Sequence, residues 1–180
     1  MFGTSHRVQS LGEERGDHIT DQIWERLDAF VQNVGRMPAH LVIYRDGVSE
    51  SEFKKTLHEE IASIEHAITR FSAEGVAKPT ITYIVAQKRH KTQFFPKPGE
   101  KEVCGLVGNL VPGVLVESNI VKEDTFDFFL LSHEGGIGTS SPTHYTVLRD
   151  DWKVSPGFWQ TLTYVLAFKN VRSTKPHSLP

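Results

Sequence analysis

His40-Leu41-Val42-Ile43-Tyr44-Arg45-Asp46-Gly47-Val48-Ser49-Glu50-Ser51-Glu52-Phe53 contains a complete change of secondary structure. Its first part, His40 to Tyr44, is short, β-branched and nearly all apolar, the pattern of a strand buried on both faces. Asp46-Gly47 then supplies turn chemistry. Ser49 begins a Ser-Glu-Ser-Glu capping-box pattern with Glu52 in the third position after the cap. Phe53, Leu57, Ile61, Ile64, Ile68 and Phe71 follow at helical spacing. A second apolar run, Thr80 to Ala86, comes after that helix. Strand, helix, strand in this order implies a right-handed parallel unit and so an α/β fold.

Upstream, Ile19, Ile23, Trp24, Leu27, Phe30, Val31 and Val34 lie on one apolar helical face within residues 17 to 34, and Gly35 stops that helix. Downstream, residues 96 to 113 are rich in Pro, Gly and charge and read as a loop. Phe126 to Leu131 and Tyr145 to Leu148 are further strand candidates, separated by the Gly- and Ser-rich HEGGIGTSSPT. Ser155-Pro156, a cap followed by proline at the first helical position, opens a helix expected to run to about Val171.

The whole chain, 180 residues with 38% hydrophobic and 23% charged residues, has the make-up of one globular domain spanning 1–180. No stretch approaches ~18 consecutive apolar residues, and the N-terminus lacks the layout of a signal peptide. The expectation is therefore a protein with no membrane partner, placed in the cytoplasm, with the nucleus as the alternative. A single cysteine, Cys104, excludes an internal disulfide or a Cys-x-x-Cys knuckle. A net charge of -2 argues against indiscriminate polyanion binding, so the placement of positive charge matters more than its sum.

Asp46 stands at the carboxyl end of a strand, where open α/β sheets place ligand-binding groups. A carboxylate there can serve as a hard oxygen ligand for Mg²⁺, and Asp-Gly after a strand is also ordinary turn chemistry. Glu13, Glu14 and Asp17 precede the first helix, where acidic residues complement the helix dipole. The nine histidines form no His-Glu-x-x-His pattern, and no Gly-x-Ser-x-Gly elbow exists. Lys88, Arg89, His90 and Lys91 gather positive charge at the exit of the second strand, and Lys169, Arg172 and Lys175 form another basic group near the end. Either is a solvated surface if isolated; brought together, they suit a polyanion.

In order along the chain, IYRDGVSESEF, VAQKRHKTQFF, DFFLLSHEGGIGTSSPTHYTVLRDD and LTYVLAFKNVRSTKPHSLP resemble the Piwi domain of eukaryotic Argonaute proteins, from roughly Arg7 to Pro180. That resemblance implies a ribonuclease-H-like fold, a mixed sheet flanked by helices. It implies a guide RNA held by the domain and its neighbours, a target RNA cleaved with Mg²⁺, and a role in small-RNA-directed gene silencing. It also implies pockets for tryptophan-containing partner proteins. Guide pairing would then read the sequence while the protein grips backbone and shape.

The resemblance assigns Asp46 as a metal-binding catalytic carboxylate. An ungapped alignment from Arg7-Val8-Gln9 to Tyr44-Arg45-Asp46 places the family's mobile catalytic glutamate on Glu14, with Glu13 as its rival. Lys88, Arg89, Lys91, Gln93, His133, Arg172 and Lys175 match positions that contact the guide RNA, Gln93 standing where a basic residue is common. Ser141 replaces an arginine often found before Pro-x-His-Tyr, and His144 in Pro-Thr-His-Tyr is expected to be structural. The family's first catalytic aspartate, in Asp-Val-x-His-Pro, and its last metal ligand, in Tyr-Ala-His, have no counterpart between Met1 and Pro180. The expectation is a Piwi domain cut short at both ends, with the opening strand and C-terminal end missing. At most two of four catalytic positions would be present, and these residues alone would not cleave RNA. Such a chain could alternatively be a catalytically inactive interaction module or a gene fragment without a role of its own.

Overall fold

The computed structural model describes residues 5–6, 18–72, 77–100, 104–105, 108–122, 124–135, 138–169 and 175–179. In chain order the elements are α1 (Ile19–Val34), β1 (His40–Asp46), a 3-10 turn over Glu50–Glu52, α2 (Phe53–Phe71), β2 (Thr80–Gln87), β3 (Val114–Val116), β4 (Asp127–Leu131), β5 (Thr143–Asp150) and α3 (Pro156–Ala167). The strands form one five-stranded sheet in the order β1-β2-β5-β4-β3. β1 and β2 are parallel, with Asp46 opposite Ala86, and the remaining pairings are antiparallel. The sheet is therefore mixed, and the β1-α2-β2 unit is parallel as the strand-helix-strand order requires.

The two faces of the sheet are covered by different helices. Ile81, Tyr83 and Val85 of β2 pack with Leu27 of α1 and with Phe53, Ile61, Ile64 and Ile68 of α2. The intervening Ile84 and Ala86 join Phe128, Leu130, Tyr145 and Trp159 in a more aromatic core on the α3 side. The two-residue period of an extended chain sends alternate side chains into opposite cores, which is why β2 is a continuous apolar run. Each such buried aliphatic or aromatic side chain contributes roughly 1.5–3 kcal/mol.

Local details depart from the sequence reading in physically simple ways. β1 is packed on both faces, Leu41 and Ile43 against one core and Val42 and Tyr44 against the other, yet every residue from His40 to Arg45 stays partly exposed, because among the described strands β1 pairs with β2 alone. The Ser49 cap closes side chain to side chain, its Oγ donating to Glu52 Oε2 at 2.6 Å, so the helix starts through a 3-10 turn before α2. α3 stops at Ala167 rather than near Val171. The Phe168 and Lys169 amides turn to Val165 and Leu166, and the Ala167 carbonyl accepts the His177 amide at 2.9 Å. β3, with 3 residues, falls just past the stretch read as loop; it is too short to give a periodic signal. Gly35 caps α1 as expected, with φ 77° and its amide bonded to the Val31 carbonyl.

Candidate nucleic-acid interface and carboxylate cleft

The parallel pairing of β1 and β2 brings the ends of both strands to one side of the sheet, where an open cleft of about 970 Å³ is lined by His18 and Gln22, by Arg45, Asp46 and Glu50, and by Lys88 and Arg89. Asp46 is exposed at its floor. Beneath it, the Arg45 guanidinium donates from Nε to Glu60 Oε1 at 2.9 Å and from Nη1 to the Asp46 carbonyl at 2.7 Å. Glu60, buried in α2, also accepts the Tyr83 hydroxyl. Burial, together with the neighbouring Glu60 charge, pushes the Tyr83 phenol well above its usual range. A buried carboxylate is tolerated because it is held by a cation and a phenol at once.

Lys88 and Arg89 leave β2 directly at the cleft, and both are exposed. The side-chain hydrogen bond from Gln87 Nε2 to the Val48 carbonyl at 2.9 Å ties this exit to the loop after Asp46. His133, half-buried beyond β4, lies close enough to Lys88 and His177 for their charges to act on it; burial, then Lys88, then His177 hold its pKa below the usual value. His133 Nδ1 is buried and lacks a hydrogen-bond partner among the described residues, the condition in which a polar ligand is missed most.

The last segment packs against the ends of two strands beside His133. Ser132 Oγ donates to the His177 carbonyl and Thr143 Oγ1 to the Ser178 carbonyl, each at 2.6 Å. The strand ends of β4 and β5 thus hold residues 177 and 178 next to His133. Lys175 is exposed at the start of this segment, and Lys91 and Gln93 are exposed beyond Arg89. Arg172, Glu13 and Glu14 lie outside the described residues. His90 turns inward instead, its Nε2 bonded to the Pro142 carbonyl at 2.9 Å, and burial lowers its pKa.

Sequence reasoning passed over Glu60, His177 and Asn109. Asn109 Nδ2 donates to the Gly138 carbonyl at 2.8 Å while its Oδ1 accepts the Ser140 amide at 2.9 Å, pinning the HEGGIGTS loop from within. A Cβ on Gly135 would sit 2.8 Å from Ser140 Oγ, so this close approach requires glycine. These hydrogen bonds are made within the loop and to Asn109. His144 has a structural role, its Nε2 2.6 Å from buried Asp127 and its ring stacked 4.2 Å from Phe129.

A family model for the Piwi domain matches residues 1–180. This chain belongs to the Piwi domain family. It is 39% identical over 180 residues to Piwi-like protein ergo-1 of Caenorhabditis elegans and 41% identical over 173 residues to Protein argonaute 7 of Arabidopsis thaliana. Those matches cover 99% and 96% of the chain but 16% and 17% of the relatives' lengths, so the chain spans about one sixth of the proteins it matches. The crystal structure of the C-terminal lobe of a budding yeast Argonaute superposes with a TM-score of 0.87 at 28% identity, over 94% of this chain and 36% of that one. A Kluyveromyces polysporus Argonaute with a guide RNA superposes with a TM-score of 0.85 at 29% identity, over 94% and 21%. The Piwi chain is thus an α/β, ribonuclease-H-like domain with its mixed sheet flanked by helices.

Piwi and Argonaute proteins typically use a divalent metal. Among the described residues no group of three or more His, Cys, Asp or Glu side chains is placed to hold one. Of the cleft carboxylates, Glu60 is buried on Arg45 and Tyr83 and Glu50 pairs with Lys122, which leaves Asp46 as the one whose carboxylate no described donor engages, and one such carboxylate does not make a Mg²⁺ site. No helix among the described residues is long and apolar enough to cross a membrane.

Proposed function

We propose that this chain grips a guide RNA for small-RNA-directed gene silencing in the cytoplasm, with Lys88, Arg89, Lys91 and His133 taking backbone phosphates beside the Asp46 cleft. The observation that supports this most is the convergence of Lys88, His133 and the 175–179 segment on one side of the sheet, next to exposed Arg89. Charge-assisted hydrogen bonds from lysine and arginine suit phosphate oxygens, and the half-buried imidazole of His133, its Nδ1 without a partner among the described residues, adds a directional group. Gln93, Arg172 and Lys175 extend the same set of guide contacts by family resemblance. In an intact parent site Asp46 would give its carboxylate to Mg²⁺ for target-RNA cleavage, with Glu14 as the second catalytic group, and these 180 residues alone are not expected to cleave. Mg²⁺ would there stabilise charge on the scissile phosphate.

The test is a salt titration of RNA binding. The triple substitution Lys88→Ala, Arg89→Ala, Lys91→Ala is expected to flatten the dependence of log affinity on log salt by roughly two to three. A slope equal to that of the unsubstituted chain would sink the RNA reading. It would leave the inactive protein-interaction module, with its tryptophan-containing partners, as the better account.

A further inference from the structure

After a bend at His90, whose amide bonds the Lys88 carbonyl at 3.1 Å, the chain to Lys97 has no helix or strand, yet exposure from Arg89 to Lys97 alternates strictly. His90, Thr92, Phe94 and Pro96 are half-buried, while Arg89, Lys91, Gln93, Phe95 and Lys97 are exposed. A period of two belongs to an extended chain, which sets successive outward side chains about 6–7 Å apart. The inward side is anchored. His90 bonds the Pro142 carbonyl, its Nδ1 accepts the Thr92 amide at 3.2 Å, and the His90 and Phe94 rings lie 5.3 and 6.1 Å from Phe129. The outward row is therefore presented from a fixed ribbon.

Phe95 is 67% exposed, more than any other large hydrophobic residue described. It precedes Pro96, and Lys97 precedes Pro98; a following proline restricts each to extended backbone, so little conformational freedom remains to be lost on binding. Arg89, Lys91 and Lys97 form no ion pair among the described residues. Protein interfaces bury aromatic residues but exclude lysine from their centres. A single-stranded nucleic acid presents what this row lacks, phosphates for the cations and a flat π-face for the phenyl ring.

We propose that Phe95 stacks on a base and Lys97 holds a phosphate of single-stranded RNA, extending the track of basic contacts past Gln93. The inference rests on the reading that this chain binds RNA. It is tested by titrating the full chain into single-stranded RNA containing 2-aminopurine, whose fluorescence is quenched by stacking. Phe95→Ala is expected to weaken binding about tenfold, to abolish the added quenching and to leave the salt slope unchanged. Phe95→Leu, which keeps apolar bulk without an aromatic face, is expected to behave like the alanine variant, whereas Phe95→Tyr binds as the parent does. Lys97→Ala is expected to reduce the salt slope by roughly 0.7 to 1. Parent-like binding by Phe95→Ala or by Phe95→Leu would overturn the stacking contact and assign Phe95 to nothing or to apolar packing. Absence of RNA binding by the unsubstituted chain would instead overturn the proposed function along with it.

Discussion

Two strands of this molecule end in the same dipeptide, Arg45-Asp46 at the end of β1 and Arg149-Asp150 at the end of β5, and the two ends have opposite fates. Both arginines reach a glutamate of α2, Arg45 to Glu60 at 2.9 Å and Arg149 to Glu65 at 2.8 Å. The aspartates differ. Asp150 Oδ1 accepts the Thr82 hydroxyl and the amides of Trp152 and Lys153, and Oδ2 accepts the Trp159 indole at 2.9 Å. Asp46 is exposed at the cleft, and no donor among the described residues engages its carboxylate. A carboxylate saturated by the protein organises the fold, while one left open can meet a cation or a phosphate-bound ion. The same residue type in the same local setting is thus structural at one end of the sheet and available at the other.

The contrast breaks most visibly at Asp150. Asp150→Ala strands the Trp159 indole and the turn amides, and is expected to lower unfolding free energy by roughly 2–4 kcal/mol in denaturant titration. Asp46→Ala is expected to change it by no more than about 0.5 kcal/mol; a loss comparable to that of Asp150→Ala would show that both aspartates are structural. The two arginine–glutamate pairs sharpen the comparison. Glu60→Ala removes a buried partner of Arg45 and Tyr83 and should cost roughly 2–3 kcal/mol, while Glu65→Ala, at an exposed pair, should cost under about 1 kcal/mol.

The smallest effect is a pH dependence. Burial raises the pKa of Tyr83, Tyr145 and Tyr44 above the usual value near 10. A raised folded pKa means that the folded state holds the proton more tightly, so stability is full below pH 10 and falls as pH rises beyond it. Tyr83→Phe is expected to reduce the steepness of that alkaline decline in melts collected from pH 8 upward. An unchanged decline would mean that Tyr83 does not couple folding to deprotonation.

Much of this was written locally in the sequence. Apolar spacing placed α1 and α2, Gly35 marked a helix end, and the strand-helix-strand order implied the parallel β1-β2 pair. Tyr44-Arg45-Asp46-Gly47 singled out Asp46, and the run after Ala86 pointed to Lys88 and Arg89. What stayed hidden depended on partners distant in the chain. Glu60 looks like one more polar residue of α2 until Arg45 and Tyr83 close around it. His177 gains meaning when Ser132 and Ala167 bind its backbone, which brings the last segment beside His133.

The amino-acid order by itself therefore determined the element types and the α/β class, because periodicity and turn chemistry act over a few residues, while the resemblance of its ordered motifs carried the Piwi kinship and a short list of carboxylates and cations. Tertiary structure alone decided which carboxylate remains open. Asp46 and Asp150 each follow an arginine at a strand end, but besides the nearby Trp152 and Lys153 amides Asp150 takes donors that Thr82 and Trp159 bring from other elements, and no local pattern records those two.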